Sequence, residues 1–255
     1  MEFVDTHAHL YVDDFKEDTV NVLDRALQNG IKKIIMPAID SKSHNDLIEM
    51  SAENNGFLYP LMGLHPTSVD KDYKKELDIA EKYLSQNTFY GIGEIGIDLY
   101  WDKTFKNQQV DVFTTQVKWA KELNLPIVIH TRDSFDEVYK ALYPLVTDNL
   151  KGIFHCFGGT AEQAKLITDM GFMVGIGGVI TFKNTNLRDI IKFIDINHIV
   201  LETDSPYLAP VPYRGKRNES SYINIIAEKV AEVYGYSINK VAEITTANAL
   251  KIFNI

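Results

Sequence analysis

Eight short apolar runs punctuate the chain: FVDTHAH, KKIIMPAI, FLYPLMGLH, YGIGEIGID, PIVIHTR, GIFHCF, FMVGIGG and HIVLETDS. Most are continuous rather than alternating, as parallel strands buried on both faces require. The segments between them carry helical spacing instead. Val110, Phe113, Val117, Ala120 and Leu123 mark one face of a helix after the fourth run, and Ile226, Val230 and Val233 do so after the eighth. Ser237 stands where its side chain would cap a last helix through Leu250 and Phe253. Strand ends recur every ~20–35 residues, the rhythm of a closed (β/α)₈ TIM barrel of the α/β class. No linker, repeat or low-complexity tract interrupts residues 1–255, so a single domain is expected. An open doubly wound sheet is the alternative, but eight units in this length favour closure.

Composition narrows the setting. With 45% hydrophobic and 24% charged residues the chain reads as an ordinary globular protein. The weakly polar stretch 172–182 falls far short of the ~18 residues a membrane helix needs. The opening MEFVDTHAHL has an acid at position 2 and no cationic segment, unlike a secretory leader. Cys156 is the one cysteine, so no internal disulfide can form, and a reducing, cytoplasmic location is expected. A net charge of −9 argues against broad nucleic-acid binding, although bound cations and a local basic loop can reverse the field at one site.

The polar residues sort by position. Barrel chemistry sits at the carboxyl ends of the strands. His7 and His9 end the first run, His65 the third, His130 the fifth and His155 the sixth. Strand alternation would turn Asp5, His7 and His9 to one side. His198 begins the eighth run and belongs to the opposite face, while His44, in the second helical segment, reads as a solvated position. Glu94 and Asp98 in GEIGID and Asp204 in LETDSP add carboxylates at the same rim. A buried unpaired carboxylate at Glu94 would be costly, whereas a metal ligand is compensated. Four histidines, a glutamate and an aspartate, free of thiolate, suit Zn²⁺, Mn²⁺, Co²⁺ or Mg²⁺. Each residue alone has a structural alternative in a salt bridge or a backbone-bonded core histidine. Their coincidence at one rim favours metal. His65 stands between a substrate contact and a supporting hydrogen bond. Glu202, on the face of Asp204 but deeper, reads as an orienting group.

Taken in order, VDTHAHL, GLHP, GEIGIDLYW, PIVIHTRD, FHCFGG, GVITFKN, LETDSPYLAPVPYRGKRNE and TTANALKIF make the chain resemble the TatD-type metal-dependent hydrolases, a branch of the amidohydrolase-like barrels. The resemblance runs nearly end to end. It implies a two-metal site, with His7 and His9 on one ion, Glu94 bridging and Asp204 completing it, and His130 and His155 on the second ion with Glu94. It implies deoxyribonuclease activity, exonucleolytic and 3′–5′ in style, supported by Mg²⁺, Mn²⁺ or Zn²⁺. Glu94 and Asp204 would be the catalytic carboxylates, Asp204 taking the proton of the attacking water.

Phosphate recognition needs cations at the mouth. Arg214, Lys216 and Arg217 in PVPYRGKRNES, Lys183 after the seventh run and Arg132 beside His130 are the candidates. A solvated charge run is the alternative for the first three. Tyr100 and Trp101 would stack nucleobases, or close the rim. Single strands or ends of DNA are therefore the expected substrate, and a monomer the expected state. Metal ligands do not distinguish phosphorus from carbonyl carbon, so a deacylase or amidohydrolase, acting for example on aminoacyl-tRNA, is the second reading. A non-catalytic scaffold is the third.

Overall fold

The computed structural model describes all 255 residues. Eight parallel strands alternate with helices: β1 (Phe3–Asp5), α1 (Thr19–Gln28), β2 (Ile31–Pro37), α2 (His44–Glu53), β3 (Leu58–Leu61), α3 (Tyr73–Gln86), β4 (Ile92–Asp98) and α4 (Lys106–Leu123) make the first half. The second half is β5 (Ile127–Arg132), α5 (Phe135–Leu142), β6 (Gly152–Phe154), α6 (Ala161–Asp169), β7 (Met173–Ile176), α7 (Leu187–Ile190) and β8 (Ile199–Leu201), followed by α8 (Ile223–Tyr234) and α9 (Ile238–Phe253). Regular pairing runs β1-β2-β3 and β4-β5-β6-β7-β8. Both seams are stitched. Met62 bridges Ile92, and Ala8 bridges Ser205. The Thr6 amide donates to Leu201 O at 3.0 Å and the Asp204 amide to His7 O at 2.8 Å. The sheet is therefore a closed (β/α)₈ barrel. No helix is long and apolar enough to cross a membrane.

Strand alternation layers the interior. Val4, Ile35, Leu61, Val128, Ile153 and Val200 form an apolar floor against Ala249, Ile252 and Phe253 of α9, which plugs the amino-terminal mouth. Two residues further along β5, past β6 and past β8, the same face carries His130, His155 and Glu202. The dry floor thus holds the polar groups at the opposite, carboxyl end. Ser237 does cap α9, its side chain accepting from the Lys240 amide.

Two local expectations are corrected. On α4, Phe113, Val117 and Ala120 are buried as expected, but Leu123 is half exposed and Gln109 and Gln116 are buried in its stead. The helix is rotated because those amides have work to do at strand ends. Gln116 accepts from the Leu64 amide at 2.7 Å and donates to its carbonyl at 3.2 Å, and Gln109 accepts from the Asp98 amide at 2.8 Å. His44 is buried, not solvated. It lies at the start of α2 with its ring edge-on to Tyr83, and burial holds it below its ordinary pKa.

Candidate metal centre

Glu94, on β4, is the hub. Its Oε2 lies 3.0 Å from His7 Nε2 and 3.4 Å from His9 Nε2. Its Oε1 lies 2.7 Å from His155 Nε2, 2.8 Å from His130 Nδ1 and 3.2 Å from His65 Nε2. One carboxylate thus divides its two oxygens between two sets of imidazoles. Regular β1 stops at Asp5, yet the chain stays extended through the Ala8 bridge, so His7 and His9 still project together, with 3.1 Å between their Nε2 atoms. Two nitrogen lone pairs at that distance repel unless a proton or a cation lies between them. Asp204 approaches the pair with Oδ1 at 3.8 and 3.9 Å. Asp5 does not join them, because it turns to Thr203, accepting from its amide at 2.9 Å and its hydroxyl at 2.6 Å.

The electrostatics follow from burial against charge. Burial pushes the Glu94 carboxyl up, but the imidazoles of His155, His65 and His7 outweigh it and hold the group ionised, well below the usual range. Burial and the neighbouring His155 keep His7 well below its ordinary value, hence neutral with a free lone pair. His155 lies well above its ordinary value, because Glu94 and Glu202 overcome its burial. Asp204 is pushed up to about 6 by burial, with Glu94 and Glu202 adding to the effect. Asp204 and Cys156 both adopt left-handed backbone conformations, φ +58° and +47°, of the kind that cluster at functional sites. The residues present fit divalent cations. Five imidazoles and two carboxylates converge, and the ring nitrogens of His7 and His155 away from the hub have no hydrogen-bond partner.

A second layer holds these rings, and only part of it was visible in the sequence. Asp98 Oδ2 lies 2.9 Å from His130 Nε2, while its Oδ1 accepts from the amides of Tyr100 and Trp101 at 3.0 and 3.4 Å. Glu202, fully buried, sits 3.6 Å from His155 Nδ1 and accepts from the Cys156 amide. Gly175 makes room for it, since a Cβ there would run into the carboxylate. His65 is fixed by Thr67, whose amide donates to Nδ1 at 3.1 Å, so that Nε2 faces Glu94 at 3.2 Å while the ring lines the cavity.

The cavity above is about 640 Å³. Arg132, Trp101, Tyr207, Leu208, Cys156 and Ile39 are among its walls. Arg132 lies over the ring of Tyr100 at 3.8 Å and that of Trp101 at 5.2 Å. The other candidate cations do not line this cavity. Arg217 is committed elsewhere, forked onto Asp18 at 2.7 Å through both terminal nitrogens. Arg214 lies over Phe182 at 3.9 Å, and Lys183 and Lys216 are exposed. Tyr207 went unnoticed in the sequence because its place in the mouth depends on the turn after Asp204.

A model of the family described as TatD related DNase matches residues 4–254. The chain is 38% identical to YabD of Bacillus subtilis, named an uncharacterized metal-dependent hydrolase, over 98% of both chains. It is 30% identical to the 3′-5′ ssDNA/RNA exonuclease TatD of a Rahnella strain, over 94% of this chain and 93% of that one. The crystal structure of the TatD homologue YjjV from Escherichia coli superimposes with a TM-score of 0.93 at 28% identity, covering 99% of this chain and 98% of the other. The buried imidazole–carboxylate hub at the carboxyl mouth of the barrel thus belongs to a metal-dependent hydrolase, and the chain is a member of the TatD family.

Proposed function

We propose that the protein is a phosphodiesterase that removes nucleotides from DNA ends or single strands, 3′–5′ exonuclease-like, with two divalent cations drawn from Mg²⁺, Mn²⁺ and Zn²⁺. The observation that carries this reading is the division of Glu94, Oε2 to His7 and His9 and Oε1 to His130 and His155, since one carboxylate shared by two imidazole sets suits a pair of cations. His7, His9, Glu94 and Asp204 would hold one and Glu94, His130 and His155 the other. Bound there, such cations supply positive charge to the oxygens of the scissile phosphate and acidify water. Asp204, the least buried acid of the set, takes the proton of the attacking water on its carboxylate. Glu94 stays ionised between the imidazoles and holds them in register. Arg132, Tyr100 and Trp101 position the nucleotide, with Lys183, Arg214 and Lys216 set further out along the strand's path and His65 supporting Glu94 from the loop after β3. The Rahnella relative, named an exonuclease on ssDNA and RNA, supports the substrate class. A monomer is the default state, and the single cysteine suits the reducing cytoplasm.

The test strips the protein with chelator, reloads each cation and offers labelled single- and double-stranded DNA, RNA, a carboxylic ester and an aminoacyl-tRNA. Metal-dependent nucleotide release that is lost in Glu94→Ala is the expected result. Asp204→Asn should lower turnover by about 10²–10⁴ with much of the metal still bound. Cleavage of the ester or the aminoacyl bond alone would overturn the reading.

A further inference from the structure

Two large aromatics stand open at the mouth: Trp101 is 71% exposed and Tyr207 52% exposed. Both line the cavity over the Glu94 hub. Trp101 follows β4 and Tyr207 follows β8, four strands apart in a closed ring of eight, so the loops that carry them leave the ring on opposite sides of the opening. Neither is loosely held. The Trp101 amide donates to Asp98 Oδ1, the carboxylate that also holds His130. The Tyr207 amide donates to Asp204 O at 2.8 Å, and its carbonyl accepts from Asn218 Nδ2 at 2.6 Å. An exposed indole and an exposed phenol carried on backbone anchored in this way, on either side of a polar well, offer flat apolar faces to a flat ligand, the service aromatics perform for unpaired bases.

The charge distribution agrees. The floor bears Glu94, Asp98 and Asp204, and the whole chain is at −9. Among the cavity-lining residues the one arginine or lysine is Arg132. No carboxylate pairs with it, in contrast to Arg25 and Arg217, and its guanidinium carbon stands 3.8 Å from the centre of the Tyr100 ring and 5.2 Å from that of Trp101, so its N–H donors are not spent on an acid.

We propose that Trp101 and Tyr207 are opposed jaws that grip unpaired nucleobases of a single-stranded oligonucleotide, with Arg132 taking the phosphate beside the Trp101 jaw. This rests on the phosphodiesterase reading of the same site. The jaws select by strandedness. A paired base has no free face to offer, and drawing it out of the stack is unfavourable. They read no sequence, because every base has a π-face.

The experiment measures binding rather than turnover. The full chain as purified is titrated into a fluorescein-labelled hexamer of thymidine with a hydrolysis-resistant phosphorothioate backbone, and anisotropy is followed. Trp101→Ala and Tyr207→Ala should each weaken binding about tenfold, with Trp101→Phe and Tyr207→Phe close to the parent. An abasic hexamer of equal charge should bind at least tenfold more weakly than the thymidine hexamer, and a blunt hairpin duplex likewise. The double alanine variant should no longer distinguish the abasic strand. Equal binding of abasic and normal strands by the parent, or parent-like binding by the double variant, overturns the jaws. The two proposals fail separately. A strand gripped by the jaws but cleaved under no cation loading removes the phosphodiesterase reading and leaves the jaws. Cleavage with an unchanged kcat/KM in the double variant removes the jaws and leaves the phosphodiesterase.

Discussion

Replacing Gly175 with alanine tests the layer behind the metal centre. A methyl at this point in β7 would lie 2.6 Å from Glu202 Cδ and closer still to Oε2, where ordinary contact begins at 3.4 Å. The strand cannot yield. Gly175 pairs with Val200 in β8, its carbonyl accepts from the Phe157 amide at 3.0 Å, and the Glu202 amide is tied to Ile176 O at 3.2 Å. The carboxylate must therefore retreat by about an ångström. Two losses follow. The Cys156 amide loses its buried acceptor, which costs about 1–3 kcal/mol, and the overpacking costs about 1–3 kcal/mol more. The Gly175→Ala variant should thus be about 2–6 kcal/mol less stable by urea unfolding of chelator-treated protein. His155 also loses the carboxylate behind Nδ1, and disturbing such a partner lowers metal affinity about 10–100-fold, read by competition titration with a chromogenic chelator. Combining it with Glu202→Asp, one methylene shorter, should restore part of both quantities, a coupling of more than about 1 kcal/mol. Parent-like stability and affinity in Gly175→Ala, or strict additivity in the pair, would refute this account of Glu202.

Other consequences can be measured alongside it. Asp98→Ala removes the partner of His130 Nε2 and the acceptor for the Tyr100 and Trp101 amides, so metal affinity should fall about 10–100-fold in the same titration. Saturation with a cation at 100 times its Kd should stabilise the protein by about 2.7 kcal/mol, or about 5–10 °C in Tm against the chelator-treated form. Arg217→Ala should cost no more than about 1 kcal/mol and leave the salt dependence of oligonucleotide binding unchanged, since its guanidinium serves Asp18 and not a phosphate. Burial pushes the Glu219 carboxyl up, but hydrogen bonds from Arg25 and Ser221 outweigh it and hold the folded value below the ordinary 4.5. Its stabilising contribution is therefore present above the unfolded pKa and lost as pH falls through the folded one. The advantage of the parent over Arg25→Ala in urea midpoint should narrow as pH drops from about 5 towards 3.

Much of this molecule could be read along the chain. Continuous apolar runs, their spacing and the histidines at their ends are local features, and a closed barrel converts position at a strand end into position at one mouth. That is why His7, His9, His130, His155, Glu94 and Asp204 could be named from the sequence and why they meet around one carboxylate. What periodicity could not reveal was the partner each polar group takes from a distant segment. Arg217 looked like a free cation until Asp18, 199 residues away, was seen to occupy it. His44 looked like a surface residue and Leu123 a buried one because burial depends on what a neighbouring element presents, the Tyr83 ring in the first case and, in the second, the strand-end amide that draws Gln116 inward. Gly175 carries no signal that it is the space for Glu202, and Tyr207 none that it lines the same cavity as Trp101. Side-chain type and strand rhythm are inherited from covalent order, whereas pairing, burial and facing are relations between segments that exist only once the ring has closed.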